Sequence, residues 1–164
     1  MDEQLEPPVV RDFMITEVFT VSPDMTLDEV VNLLVEKRIP CAPVVIKKAN
    51  FMELIGIISE KDCIDYLSNE IFYGNPDALV KHMMEKVPLC VSPDTDIFSI
   101  AIVFRQHDYR YLPVVENKQL EGVVCRRDAL NSLLNFHKKV IKEKAEGKSP
   151  LDYHEIANLR FVIK

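Results

Sequence analysis

Gly56-Ile57-Ile58-Ser59-Glu60-Lys61-Asp62 and Gly122-Val123-Val124-Cys125-Arg126-Arg127-Asp128 share one pattern: a glycine, an apolar pair, a small polarisable side chain, and an aspartate three residues on. An aspartate in the first turn of a helix can accept hydrogen bonds from two sugar hydroxyls. A serine hydroxyl at a strand end can reach an anionic oxygen, and backbone N–H groups at a helix start favour the same anion. Asp62 can also act simply as an N-cap on its helix, and one residue can serve both roles. Gly56 allows either a close approach by backbone or ligand, or a β-bulge. Cys125 weakens the second stretch, because a thiol is a poorer hydrogen-bond partner than a hydroxyl.

Other chemistries lack their parts. Cys41, Cys63, Cys90 and Cys125 form no Cys-x-x-Cys pair and read as reduced, buried thiols. His82, His107, His137 and His154 lie far apart, with no His-Glu-x-x-His spacing. Gly147-Lys148-Ser149 resembles the end of a phosphate loop, but Lys142 stands where that motif needs its first glycine. There is no Gly-x-Ser-x-Gly and no distinctive carboxylate pair. The expectation is a protein without a catalytic centre and with no required cofactor.

The elements that position the two stretches repeat. Val21-Ser22-Pro23-Asp24 recurs seventy positions later as Val91-Ser92-Pro93-Asp94, with Met14 matching Met84 and Pro43-Val44-Val45 matching Pro113-Val114-Val115. The offset then drops to 66 at Leu54/Leu120, Gly56/Gly122 and Asp62/Asp128, so the first copy carries four extra residues near 47–53. Such an insertion suits a surface turn. Leu27, Val30, Val31 and Leu34, and then Ile97, Ile100, Ala101 and Phe104, each make one apolar helix face. Thr26 with Glu29 forms a capping-box pattern, and Asp96 can cap the second helix. Short β-branched runs follow, Pro43–Ile46 and Leu54–Ile58, then Leu112–Val115 and Leu120–Val124. Helices should begin near Asp62 and Asp128, the second running to about Lys144. The fold class is α/β of the α+β type, each copy reading β-α-β-β-α. Two units this small are expected to pack with pseudo-twofold symmetry. The boundaries read as 9–68 for the first repeat, 69–79 for a connector holding Gly74-Asn75-Pro76, 80–135 for the second repeat, and 136–164 for a C-terminal extension.

Five elements in order, twice, resemble the cystathionine β-synthase (CBS) domain, and the pair resembles a Bateman module over roughly residues 9–135. That resemblance implies a regulatory module for an adenosine-containing ligand (AMP, ADP, ATP or S-adenosylmethionine) held in clefts between the copies. Carried over residue by residue, Ser59 and Asp62 serve phosphate and ribose. Phe19, Thr20 and Val21 occupy the adenine-side strand, and Ile39 to Pro43 supply apolar wall. In the second copy Asp128 remains, Leu89 and Val91 are wall, Pro113 matches Pro43, and Cys90 stands where Thr20 stood. With Cys125 in place of a hydroxyl, the second site is expected to be weaker or empty. Phosphate partners are sought among Lys61, Arg126, Arg127, Arg110 and His107, since arginine can grip phosphate as a fork. His107 and Tyr109 read rather as surface or interface residues.

Bulk properties fit this class. The 164 residues are 48% hydrophobic and 28% charged, with a formal net charge of −6. An acidic balance disfavours nucleic acid as a partner. The acidic start is no secretory signal, and no run approaches the ~18 apolar residues of a membrane span. A cytoplasmic protein without membrane insertion is expected. CBS pairs usually dimerise through helix faces, so a homodimer acting on an unknown regulated protein is the partner expectation. Lys138, Lys139, Lys142 and Lys144 continue the last helix as a solvated face; Gly147 to Pro150 should break it. Leu151, Ile156, Leu159, Phe161, Val162 and Ile163 form an apolar tail that should dock on its own module or on a partner. The alternative to a sensor is an interaction subunit with degenerate ligand sites, binding a partner enzyme or transporter through its dimer surface and tail.

Overall fold

A computed structural model describes residues 5–73 and 78–147, without the side chains of 70–73. In chain order it shows α1 (Leu27–Lys37), β1 (Cys41–Lys47), β2 (Met52–Ser59), α2 (Glu60–Tyr73), α3 (Val80–Met83), α4 (Ile97–Gln106), β3 (Tyr111–Glu116), β4 (Gln119–Cys125) and α5 (Arg126–Ala145). A 3-10 turn at Val10–Asp12 precedes them. The fold is therefore mixed α/β, with a four-stranded sheet in the order β1-β2-β4-β3. Glu53 of β2 pairs antiparallel with Gln119 of β4. The chain divides into two compact units. One comprises Thr16–Leu89 with Val115–Gly122; the other takes the residues up to Ile15, Cys90–Val114, and those from Val123 onward.

In the first-copy unit the capping box forms as read. Glu29 N–H donates to Thr26 Oγ1 at 3.4 Å, and Thr26 N–H donates to Glu29 Oε2 at 2.8 Å. Helix α1 then buries Leu27, Val30 and Leu34. Strands β1 and β2 pair antiparallel from Cys41/Ser59 to Lys47/Met52. Their register slips between Val44/Gly56 and Val45/Leu54, leaving Ile55 as the extra residue of a bulge beside Gly56. Both readings of Gly56 hold, because a Cβ there would also stand 2.7 Å from Met84 Sδ and 2.8 Å from the Glu85 carbonyl.

The second-copy unit repeats the plan with different end chemistry. Asp96, buried, accepts from Phe98 N–H at 2.9 Å and Ser99 N–H at 3.0 Å, and so starts α4. Ile97, Ile100, Val103 and Phe104 are its buried face. Asn117 and Lys118, both with positive φ (51° and 68°), close the β3–β4 hairpin as a two-residue turn, the backbone that matches strand twist.

Three expectations change. The four extra residues of the first copy are not one surface turn: β1 and β2 are each one residue longer than β3 and β4, and only the loop 48–51 absorbs the rest. The first strand of each copy shrinks to a single parallel bridge, Val21 to Val44 and Val91 to Val114. Ser22-Pro23-Asp24 and Ser92-Pro93-Asp94 follow at once, and a proline has no N–H to extend a ladder. The connector begins as helix, since α2 runs to Tyr73, and α2 and α5 start two residues earlier than Asp62 and Asp128. Gly74-Asn75-Pro76 and the tail 148–164 lie outside the described residues. At the α5 end, Gly147 takes φ 77°, the left-handed backbone that glycine favours after a helix.

The segment leading into each copy is built into the unit of the other. Val80 N–H donates to the Met25 carbonyl at 2.9 Å, Lys81 N–H to Pro23 at 3.0 Å, and Leu27 N–H to Ala78 at 3.1 Å. Seventy residues earlier, Val10 N–H donates to Thr95 at 2.8 Å and Arg11 N–H to Pro93 at 2.8 Å, while Ile97 N–H donates to Pro8 at 2.9 Å. The ion pairs correspond too: Lys81 with Asp24 at 2.9 Å and Arg11 with Asp94 at 3.0 Å. These exposed pairs are worth ~0–1 kcal/mol each. The fully buried Val80 and Val10 contribute more, about 2 kcal/mol apiece.

Candidate functional site

Ser59 is the last residue of β2 and the N-cap of α2. Its N–H and its Oγ both donate to Asp62 Oδ2, at 2.8 and 2.6 Å, and Asp62 N–H returns a bond to Ser59 Oγ at 3.2 Å. This is a capping box in which the cap is Ser59 and Asp62 is its third-position partner. The expectation that Asp62 itself is the N-cap is corrected. Among the described residues both bonds to this carboxylate use Oδ2, so Oδ1 keeps its accepting capacity for a sugar hydroxyl.

The helix start is less open to an anion than its position suggests. Glu60 N–H donates to the Pro40 carbonyl at 2.9 Å. Ser59 and Asp62 N–H groups are used inside the box, which leaves Lys61 N–H of the four end donors. The Lys61 side chain is exposed.

The chain before β1 is tied to this element. Cys41 lies opposite Ser59 in the strand register, and half-buried Ile39 precedes the Pro40 contact. Burial first, then the Asp62 and Glu60 carboxylates, push the Cys41 thiol up to about 12 and the Cys63 thiol up to about 11. Thr20 is half-buried, and Phe19 is 48% exposed with Lys37 Nζ 5.4 Å from its ring centre. Val21, 1% exposed, and buried Pro43 are core residues; the Pro43 carbonyl accepts from Val21 N–H at 3.0 Å. The Val21 carbonyl in turn accepts from Val45 N–H at 2.9 Å, so both its side chain and its backbone are engaged in the core.

The second copy builds the same box with sulfur. Cys125 Sγ lies 2.7 Å from Asp128 Oδ2, and Asp128 N–H donates to Cys125 Sγ at 3.3 Å. Burial and then the bond to Asp128 raise the thiol's pKa. Arg126 is turned onto its own unit: Nη2 and Nε donate to the Tyr109 carbonyl at 2.6 and 3.2 Å, and Nη2 meets Asp108 at 3.3 Å. Its backbone N–H donates to the Arg110 carbonyl at 3.0 Å. The side chains of Arg110, Arg127 and His107 are exposed, and the His107 and Tyr109 rings lie 5.7 Å apart. Val91 is a core side chain at 3% exposure, Pro113 is buried, and Leu89 and Cys90 are half-buried. An open groove of about 660 Å3 runs from Asp128 along Asn131, Asn135 and Lys139; the last three are residues that a search for the repeated signature passes over.

Matching backbone bonds, Glu60 to Pro40 and Arg126 to Arg110, superpose the two corners. They show a charge exchange. Asp108 and Arg126 in the second copy correspond to Arg38 and Glu60 in the first. Arg38 caps α1 with left-handed backbone, φ 53° and ψ 43°. It was not among the residues read as phosphate partners. The sequence clue was the reversed signs at the two offsets.

Among the described residues no helix is long and apolar enough to cross a membrane, and no group of three His, Cys, Asp or Glu residues could hold a metal ion.

Known proteins carry the same plan. An uncharacterized 17.7 kDa protein in the bps2 3′ region of Acidianus ambivalens is 29% identical over 138 residues, covering 84% of this chain and 80% of that one. The inosine-5′-monophosphate dehydrogenase of Korarchaeum cryptofilum is 31% identical over 119 residues, which are 72% of this chain but 23% of the enzyme. Among solved structures, the crystal structure of CBSX2 in complex with AMP, a protein of Arabidopsis thaliana, is similar at a TM-score of 0.66 and 27% identity, covering 79% of this chain and 98% of that one. The CBS domain family matches at residues 10–69 and again at 80–135, each match enclosing one box and one parallel bridge, and the chain belongs to that family as a tandem pair.

Proposed function

We propose that the chain is a non-catalytic regulatory module that binds an adenosine-containing ligand, AMP, ADP or ATP ahead of S-adenosylmethionine, through the Ser59–Asp62 element. The observation that carries this reading is the intact hydroxyl–carboxylate box of the first copy, with Asp62 Oδ1 unengaged among the described residues. The relative captured with AMP supports the ligand class. Asp62 would accept from the ribose, Ser59 would exchange its bond to Asp62 for one to the ligand, and Thr20, Phe19 and Ile39 would meet the base. The second copy, closed on a thiol and with Arg126 held by Tyr109, would bind more weakly or not at all. Binding one arrangement of the copies better than another would shift a population that a regulated protein reads. Ile64 on α2, 62% exposed, and Leu130, Leu134 and Ile141 on α5 are the apolar residues through which a cytoplasmic homodimer would form.

A thermal-shift panel with AMP, ADP, ATP, S-adenosylmethionine, NADH and GTP tests it. Ligand at ~100 times Kd adds about 2.7 kcal/mol, a rise on the order of 5–10 °C for a chain of this size. The expected result is such a rise with an adenosine ligand and its loss in Asp62→Ala. A flat panel overturns the reading. It would favour an interaction subunit instead, for which the thiol box of the second copy and the exposed α5 residues speak.

A further inference from the structure

A phosphate at the first copy needs a side chain to hold it, because three of the four N–H groups at the start of α2 are already used. Arg38 has the position and the strain. A left-handed backbone suits glycine or asparagine and costs another residue on the order of 1 kcal/mol. The second copy shows that the helix can end otherwise: α4 stops at His107 in extended backbone, φ −123° and ψ 146°. The left-handed turn at Arg38 is closed by its own N–H on Leu34 and Val35 and by Ile39 N–H on Leu34 at 3.1 Å. It delivers the Pro40 carbonyl onto Glu60 N–H in the first turn of α2. Arg38 is two residues from Pro40, no more than about 7 Å of chain.

Its neighbours leave the guanidinium available. Lys37 meets Glu36 at 2.9 Å and lies over Phe19. Arg38 is exposed, and its side chain makes no hydrogen bond or ion pair among the described residues. In the second copy the corresponding corner is clamped by Arg126 on the Tyr109 carbonyl. In the first, Glu60 takes Arg126's place, and a carboxylate cannot donate to a carbonyl. That corner therefore keeps only the backbone bond of Glu60 to Pro40 and lacks the side-chain clamp, with a cation on its rim.

We infer that Arg38 grips the phosphate of the ligand at Ser59–Asp62, so that this site takes a 5′-phosphorylated adenosine in preference to the bare nucleoside. A guanidinium fork matches a phosphate in two parallel bonds. The inference rests on the functional reading above and names its ligand class more narrowly.

The test is calorimetric titration of the full chain with AMP and with adenosine. Wild type should bind AMP about tenfold or more tightly than adenosine, the effect of one charged hydrogen-bonding group. Arg38→Gly, which suits the left-handed backbone, should reduce AMP to near the adenosine level while the unliganded melting temperature holds or rises. Arg38→Lys should keep part of the preference. An unchanged AMP preference in Arg38→Gly, or equal binding of both ligands by wild type, overturns the inference and leaves the adenosine site standing. Wild type that binds neither overturns both.

Discussion

Ser59 and Cys125 hold one structural place with two chemistries, and the difference can be measured. Each closes a box with the aspartate three residues on. Cys125→Ser should preserve that box and leave the urea midpoint at or above that of wild type, while Cys125→Ala should lower it by an amount equivalent to about 1 kcal/mol through loss of the cap. The thiols also predict an alkaline limb. Folding raises Cys41 to about 12 and Cys63 to about 11. A raised folded pKa gives stability that is complete below the unfolded value near 9 and lost as pH climbs through the folded one. The melting temperature should therefore fall between about pH 9 and 12, less steeply in Cys41→Ala. The Ser59–Asp62 pair was legible in the sequence because a repeated, spaced motif announces itself. The hold of Arg126 on Tyr109 was not, because a carbonyl has no residue type to reveal it.

The starts of α1 and α4 were the most readable features, while those of α2 and α5 were read two residues late. Thr26 with Glu29 and Asp96 with Ser99 set their helices where local chemistry said they would, since a cap needs only neighbours in the chain. Thr26→Ala should cost about 1 kcal/mol in an equilibrium unfolding experiment. Strands were less readable, because a ladder depends on a distant partner. The Val21 and Val91 segments have β-branched composition yet make one bridge each. Gly56 belongs to the same class: its close neighbours, Met84 and Glu85, are far away in sequence. Gly56→Ala should cost about 1–3 kcal/mol by overpacking, and a drop in urea midpoint without change of slope would show it.

At the scale of the molecule, repeat and compact unit part company. The repeat is counted from the start of each copy, but Val10 and Ile15 hydrogen-bond into the second copy's unit, and Val80 and Glu85 into the first's. Sequence similarity cannot show this, because two equivalent segments fit two equivalent places. Removing the residues up to Ile15 should loosen the second copy first. Hydrogen exchange should rise at Val91–Phe104 and at Val123–Ala129 before it rises at Val21–Leu34. Equal loosening of both copies would contradict that division.

The traded entry segments also bear on how a doubled chain of this kind could arise. A single copy carries one entry segment, and the place for such a segment within a unit is filled here by the segment that leads into the other copy. Two undoubled chains could satisfy one another by mutual donation, each completing its neighbour. Joining the two genes end to end would keep every contact and remove the concentration dependence. Afterwards each copy would be free to change its corner chemistry, a hydroxyl on one side and a thiol on the other, while remaining bound to its sister by the segment it lent.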